Sequence, residues 1–314
     1  MKKAMRLCLT ALPILCHKMK LFQVLSLQSL LSILNTFKKK GCNVTVKYMH
    51  FIASCSYCAL AEMLSAQDIK TEDVQIAREM KLPWLFSKDG DTYLSGPMLQ
   101  GKRWFDLWLN PRGLAFSESV VSSEALAPAL QLTQAPVMLG LQTPYGKHAV
   151  VFQRYDGSYH FFNPTHENSG EPTKLILSEE ELLRSVDSSV MIGRITASDP
   201  RMQSIKPLLQ KSIKILRENA AEIIAFSSVP HTPDEYLPAM NRLFRPLLLD
   251  GISMLQLVGE VSLAQGFSSL QQDFMRFLRS SRTGSLSAFL SLEALSILSE
   301  EYIQRIENQL SFCS

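Results

Sequence analysis

Hydrophobic and polar positions along the chain follow two different rules on either side of residue 199. Before it, helix-period and strand-period stretches are mixed. After it, the period is helical nearly throughout. In the first part, Leu60, Met63 and Leu64 recur at helical spacing behind Ser54, a residue type that favours the N-cap, so a helix is predicted to start at Cys55. Thr71 is read as the cap of a short helix running to Met80, which Pro83 stops. Short strands flank a turn at Lys88-Asp89-Gly90-Asp91, and Ser95-Gly96-Pro97 is a break. Trp104, Phe105, Trp108 and Leu109 then lie on a helix that ends at Asn110-Pro111-Arg112-Gly113. Ser122 to Leu132 is predicted helical, and Ala135 to Leu141 reads as a buried strand. Tyr145 to Phe152 and Ser158 to Asn163 are β-rich runs on either side of Asp156-Gly157, a strong hairpin signal. Ser178-Glu179-Glu180-Glu181 opens a helix within 175–186, and Val190 to Ile195 supplies a last strand.

Beyond Asp199-Pro200, a helical run covers Ile205 to Phe226 and breaks at Ser227-Ser228-Val229-Pro230. Thr232-Pro233-Asp234-Glu235 is a new start, and interruptions are expected near Gly251, Gly266 and Gly284, giving four or five helices packed as a bundle. Ahead of the mixed region, Met1 to Arg6 is basic and Leu7 to Cys16 apolar, as at the start of a signal peptide, although no Ala-x-Ala pattern follows. Leu21, Leu25, Leu27, Leu31 and Leu34 line one face of an amphipathic helix ended by Lys38-Lys39-Lys40, a docking helix or an interfacial membrane anchor. The alternative is a translation start near Met19. The expected organisation is therefore an arm over 1–43, a mixed domain over 44–198 and a helical domain over 199–314.

Composition narrows the class. With 314 residues, 46% hydrophobic and 19% charged, the chain has the core material of a globular protein. Its formal net charge of +3 is unevenly spread, because the first 47 residues hold nine Lys and Arg and no Asp or Glu. The remainder is net negative, so nucleic acid is not an expected partner. The six cysteines are scattered and a chain of this size needs no staples, which implies free thiols in a reducing compartment. Cys55 and Cys58 form a Cys-x-x-Cys pair, but no second such pair or His-x-His accompanies it, so neither a metal nor a cofactor is expected.

Chemistry enters at Cys55. A cysteine in the first turn of a helix meets unpaired N–H groups and the positive end of the helix dipole, both of which favour thiolate. The hairpin supplies a base. His148 opens its first strand and Asn163 closes its second, and counting outward from the turn places position 148 opposite roughly position 165. Cys55, His148 and Asn163 are thus expected to form a triad in which His148 deprotonates the thiol and Asn163 holds the imidazole. His160, the competing base, sits mid-strand and shares a face with Phe162.

Cys55 with Leu60, Ala61 and Leu64, then His148 with Val150 and Val151, then Asn163-Pro164 occur in one order over roughly residues 44 to 195. In this the chain resembles papain-fold cysteine peptidases of the small bacterial kind that cleave double-glycine leader peptides. The resemblance implies an α+β papain-like domain followed by an all-α domain, and a cysteine-nucleophile hydrolase acting on a peptide or amide. An acyltransferase using the same residues on an acyl-carrier substrate, or a non-catalytic binding protein on that scaffold, are the alternatives. A cytoplasmic protein, membrane-associated at most through the arm, is the expected setting. Two departures stand out. Ser56-Tyr57 replaces the family's Gly-Pro, and the glutamine that such enzymes place before the cysteine as an oxyanion donor is missing, which leaves His50 as the nearest polar candidate or else an unrelated residue at a strand end. The resemblance also sets the Trp104 and Trp108 helix beside the cleft, where the rings would face substrate. Aromatics at helical spacing are more often core.

Overall fold

The computed structural model describes residues 47–311, apart from 53, 144–145 and 280–283. The expectations for the arm over 1–43 lie outside the described residues. Lys47–Ser314 make up one compact unit of mixed helix and sheet, with an antiparallel sheet followed by helices.

Helix α1 (Cys55–Ser65) buries residues around nearly its whole circumference, Tyr57, Cys58, Leu60, Ala61, Met63 and Leu64 among them, so it is a core helix rather than an amphipathic surface one. A shorter helix, α2 (Asp73–Glu79), follows it. Strands β1 (Phe86–Asp89) and β2 (Thr92–Ser95) form the expected hairpin, its turn made by Gly90 at φ +57°. Helix α3 (Lys102–Leu109) runs into a 3₁₀ turn over Asn110–Arg112, which ends where Gly113 takes φ +72°.

The main sheet has six strands, β3 (Leu114–Ser122), β4 (Val137–Thr143), β5 (Gly146–Tyr155), β6 (Tyr159–Phe162), β7 (Lys174–Leu177) and β8 (Ser189–Ala197). Their spatial order is β3-β8-β4-β5-β6-β7, every neighbour antiparallel. One face carries Phe116, Met138, Ala149, Val151 and Phe162 into the core built around α1, and the other carries Val137, Leu139, Val150, Phe152 and Phe161 under helices α4 (Ser123–Gln131) and α5 (Glu179–Arg184). This alternation is the period-2 rule applied to a sheet covered on both sides.

The chain continues through α6 (Lys206–Ser227), α7 (Pro233–Ala239), two π turns over Met240–Phe244 and Pro246–Asp250, then α8 (Gly251–Leu257), α9 (Val261–Arg279) and α10 (Leu292–Ser311). Gly251 and Gly266 do not interrupt helices as expected. A Cβ on Gly266 would come within 2.5 Å of Leu298, so this glycine lets α9 and α10 approach closely. Gly251 instead leaves room for the Pro246 carbonyl, 2.6 Å from where its Cβ would stand.

Residue 199 is not a packing boundary. Tyr302 donates to the Pro83 carbonyl at 2.6 Å, the Phe86 N–H donates to Ser212 at 2.8 Å, and Ser95 donates to the Pro246 carbonyl at 2.8 Å. Trp84, Phe86 and Phe267 all meet the Tyr302 ring, and one continuous core runs from α1 to α10. The division at 198/199 fails because β1, β2 and the Leu82–Trp84 turn turn their apolar side chains toward the helices rather than the main sheet.

Candidate active site

The site forms where three pieces of chain meet: the N-terminus of α1, the beginning of β5, and the loop after β6. In the β5–β6 ladder Val151 pairs with Phe162 and Phe152 with Phe161. Strand β6 therefore stops while β5 still extends back to Gly146, and the β5 edge around His148 and Ala149 is left without a strand partner on that side. Extending the same register places His148 opposite Thr165, as the outward count from the turn required. Pro164, which has no N–H, lies just beyond the end of the ladder.

Helix α1 presents Cys55 to this open edge. Burial alone would push the Cys55 thiol up, but a hydrogen bond and positive charge from His148, the Ala149 N–H and the Ser56 hydroxyl outweigh it and hold the thiol below its ordinary range. The imidazole answers in the opposite sense. Burial would lower His148, yet Cys55 and the Pro164 carbonyl raise it above its usual value. The His148 Nε2 is buried and has no hydrogen-bond partner of good geometry among the described residues. Cys58, one turn along α1, is buried and its thiol is pushed far up, mainly by that burial.

Asn163 is placed in the site loop, but its amide is not on His148. Its Nδ2 donates to the Pro172 carbonyl at 2.8 Å and its N–H to the Thr173 carbonyl at 2.9 Å, so it closes the 163–173 loop, whose Pro164 carbonyl faces the imidazole. The Asn163 side chain is thus engaged within its own loop and not with the imidazole.

His50 also departs from expectation. Residues 47–52 are irregular rather than a strand, and the His50 Nδ1 donates to Asp73 Oδ1 at 2.5 Å, which turns the ring toward α2. Although burial opposes its charge, Asp73 raises His50 above its ordinary value. Ser54 likewise does not cap α1. Its hydroxyl donates to Asp73 Oδ2 at 2.7 Å and makes no capping hydrogen bond, and no acidic residue occupies the first turn. Thr71, expected to cap α2, precedes the observed N-cap Glu72, and its hydroxyl is buried without a hydrogen-bond partner among the described residues.

Trp104 and Trp108 are core residues. They are 7% and 3% exposed, the Trp108 Nε1 donates to Glu79 at 2.7 Å, and Arg112 covers the Trp108 ring at 3.7 Å. His160, the alternative base, is held by Asp156 at 2.7 Å beside the hairpin turn. Among the described residues no three His, Cys, Asp or Glu side chains converge as metal ligands, and no helix is long and apolar enough to cross a membrane.

Three contributors to the site have no signal in the residue pattern: the Ala149 N–H, the Pro164 carbonyl and Asp73. Two are backbone groups, invisible to side-chain motifs. Asp73 is an acidic residue at a helix start, a position where exposed carboxylates are common. No protein-family model and no curated protein matches the chain. Among solved structures it is similar to a periplasmic domain of the EpsAB fusion protein of the Vibrio vulnificus type II secretion system, with 13% identity and a TM-score of 0.26 over 50% of each chain. The chain thus spans about half the length of that structure.

Proposed function

We propose that the chain is a cysteine-nucleophile hydrolase of the papain-like kind, acting on a peptide or amide carbonyl. The observation that carries this reading is the placing of Cys55, at the N-terminus of α1, against His148 on the part of β5 that β6 leaves unpaired, and the directions of the two groups' pKa shifts agree with it. A thiolate beside an imidazolium is the resting form such chemistry needs, because the nucleophile is then ionised at neutral pH and its proton already sits on the group that will deliver it.

In the proposed cycle the Cys55 Sγ attacks the carbonyl carbon, forming a C–S bond while the carbonyl electrons move to oxygen. Backbone N–H groups in the first turn of α1 face that oxyanion, helped by the helix dipole. His148 gives its proton to the amine nitrogen as the C–N bond breaks and leaves a thioester. Water, deprotonated by His148, then attacks the thioester, and Cys55 departs as thiolate. The Pro164 carbonyl orients the imidazole in both halves.

Iodoacetamide labelling with peptide mapping tests the pair. The expected outcome is alkylation at Cys55 in preference to Cys58 at pH 6 to 7, reduced at least about tenfold by His148→Ala, because a one-unit rise in thiol pKa costs tenfold in thiolate. Equal labelling rates in the His148→Ala variant and the unaltered chain would overturn the reading.

A further inference from the structure

Asp73 is only 1% exposed, and its carboxylate is among the most completely engaged groups in the described chain. Oδ1 accepts from the His50 ring at 2.5 Å and from the Val74 N–H at 2.8 Å, and Oδ2 accepts from the His50 N–H at 2.9 Å and from the Ser54 hydroxyl at 2.7 Å. Burying a carboxylate costs several kcal/mol unless both oxygens are satisfied, and here they are. Apart from the Val74 N–H, the groups it gathers belong to His50 and Ser54, on the run of chain that leads into Cys55.

The far side of that segment is tied as well. The Met49 N–H donates to the Thr165 carbonyl at 2.8 Å, and the His166 Nδ1 donates to the Met49 carbonyl at 2.9 Å. The approach to Cys55 is therefore pinned to α2 by Asp73 and to the His148-orienting loop by Met49. Ser54 is the decisive link. A serine at this position ordinarily turns its oxygen onto first-turn amides, which would occupy the donors that favour a thiolate or an oxyanion. Asp73 makes the shortest of the contacts that hold the hydroxyl away from them, the others being with the Phe51 N–H at 3.3 Å and the Phe51 carbonyl at 3.1 Å.

We infer that Asp73 is a positioning residue: it fixes the 50–54 approach and keeps Ser54 from capping α1, so that Cys55 stays aligned with His148 and the first-turn amides stay open to negative charge. It touches neither the thiol nor a reacting atom, and its effect passes through Ser54. The inference rests on the proposed role of Cys55 and His148.

The test is the pH profile of iodoacetamide alkylation at Cys55 in the full chain, read beside the thermal melting point. Asp73→Ala is expected to move the alkylation midpoint up by about one pH unit and cut the rate at pH 6 about tenfold. Asp73→Asn, which keeps an acceptor for Ser54, restores most of it. Ser54→Ala removes the hydroxyl that would otherwise cap α1, so it should leave the midpoint close to that of the unaltered chain, and in the double variant it should reverse most of the shift produced by Asp73→Ala. If Asp73→Ala does not fold, Asp73→Ser, too short to reach Ser54, stands in. An unchanged midpoint in the folded Asp73 variant, or a double variant shifted as far as that variant alone, overturns the inference. A profile in the unaltered chain like that of a free thiol overturns the Cys55–His148 reading instead, so the two failures are distinguishable.

Discussion

At the scale of single residues, what separates Cys55 from Cys58 is three positions along one helix. Cys55 meets an imidazole, a backbone N–H and a hydroxyl, whereas Cys58 meets apolar neighbours and the negative charge of Asp73. Only the first has a pKa lowered toward the working range. The pH dependence follows from the two directions. Below the lowered thiol pKa, Cys55 is protonated and unreactive. In the proposed ion pair, loss of the His148 proton at high pH removes the proton that the leaving group needs. Turnover of a peptide substrate is thus expected to be bell-shaped, with its acid limb set by the Cys55–His148 pair below the range of an ordinary thiol and its alkaline limb above that of a free histidine. Alkylation, which needs no proton donor, should keep only the acid limb. Measuring both profiles checks this, and an acid limb near the ordinary cysteine value in either would contradict it. The meeting of Cys55 and His148 is legible in the sequence because a helix start and a hairpin turn fix their places locally. Asn163 does not stand where the sequence places it, because its amide closes the 163–173 loop, and the Pro164 carbonyl near the imidazole is a group that no residue type announces.

At the scale of elements, the antiparallel sheet is held by features the hydrophobic pattern shows unevenly. β4, β5 and β6 read as strands because both of their faces are covered and their apolar runs are nearly continuous. Strand β3 escaped the pattern. It is a sheet edge, and its sequence from Ser117 to Ser119 is polar on both faces, so no period emerges. Tertiary packing secures it instead: the Phe116 ring lies over Gly193 of β8 and meets Phe105 of α3 edge-on with centroids 4.9 Å apart. A Cβ on Gly193 would overlap that rigid ring. Gly193→Ala is therefore expected to destabilise the fold by about 1–3 kcal/mol, the usual range for overpacking. Urea unfolding would read it, and Phe116→Leu in the same chain should recover part of the loss by removing the ring. An unchanged urea midpoint in Gly193→Ala would show that the ring yields without cost. Strand β7 was hidden for a related reason, since its alternation of exposed and half-buried residues over only four positions merges with the following capping box at Ser178 and Glu181.

At the scale of the whole molecule, the helices after residue 199 complete the core that α1 belongs to, and a chain cut there would expose the apolar sides of β1, β2 and the Leu82–Trp84 turn. The same packing buries a charge. Asp250, at the end of the second π turn, is 2% exposed and pairs with Arg245 at 2.9 Å, yet desolvation dominates and raises its pKa from 3.8 to about 6. The sign of the consequence is fixed by linkage. A carboxyl whose folded pKa lies above its unfolded value stabilises the fold fully when protonated in both states, and that contribution is lost as pH rises through about 6. The loss is at most about 3 kcal/mol, from 1.36 kcal/mol per pKa unit. Asp250→Asn cannot ionise, so it removes this dependence while leaving every other titrating group in place. The stability of the unaltered chain minus that of Asp250→Asn should accordingly fall between pH 4 and pH 7, as read from urea midpoints at matched ionic strength. A difference that stays flat or grows across that interval would mean that Arg245, not burial, governs the charge. The ion pair would then be a net tie between the π turns and α8 and not a buried load on the core.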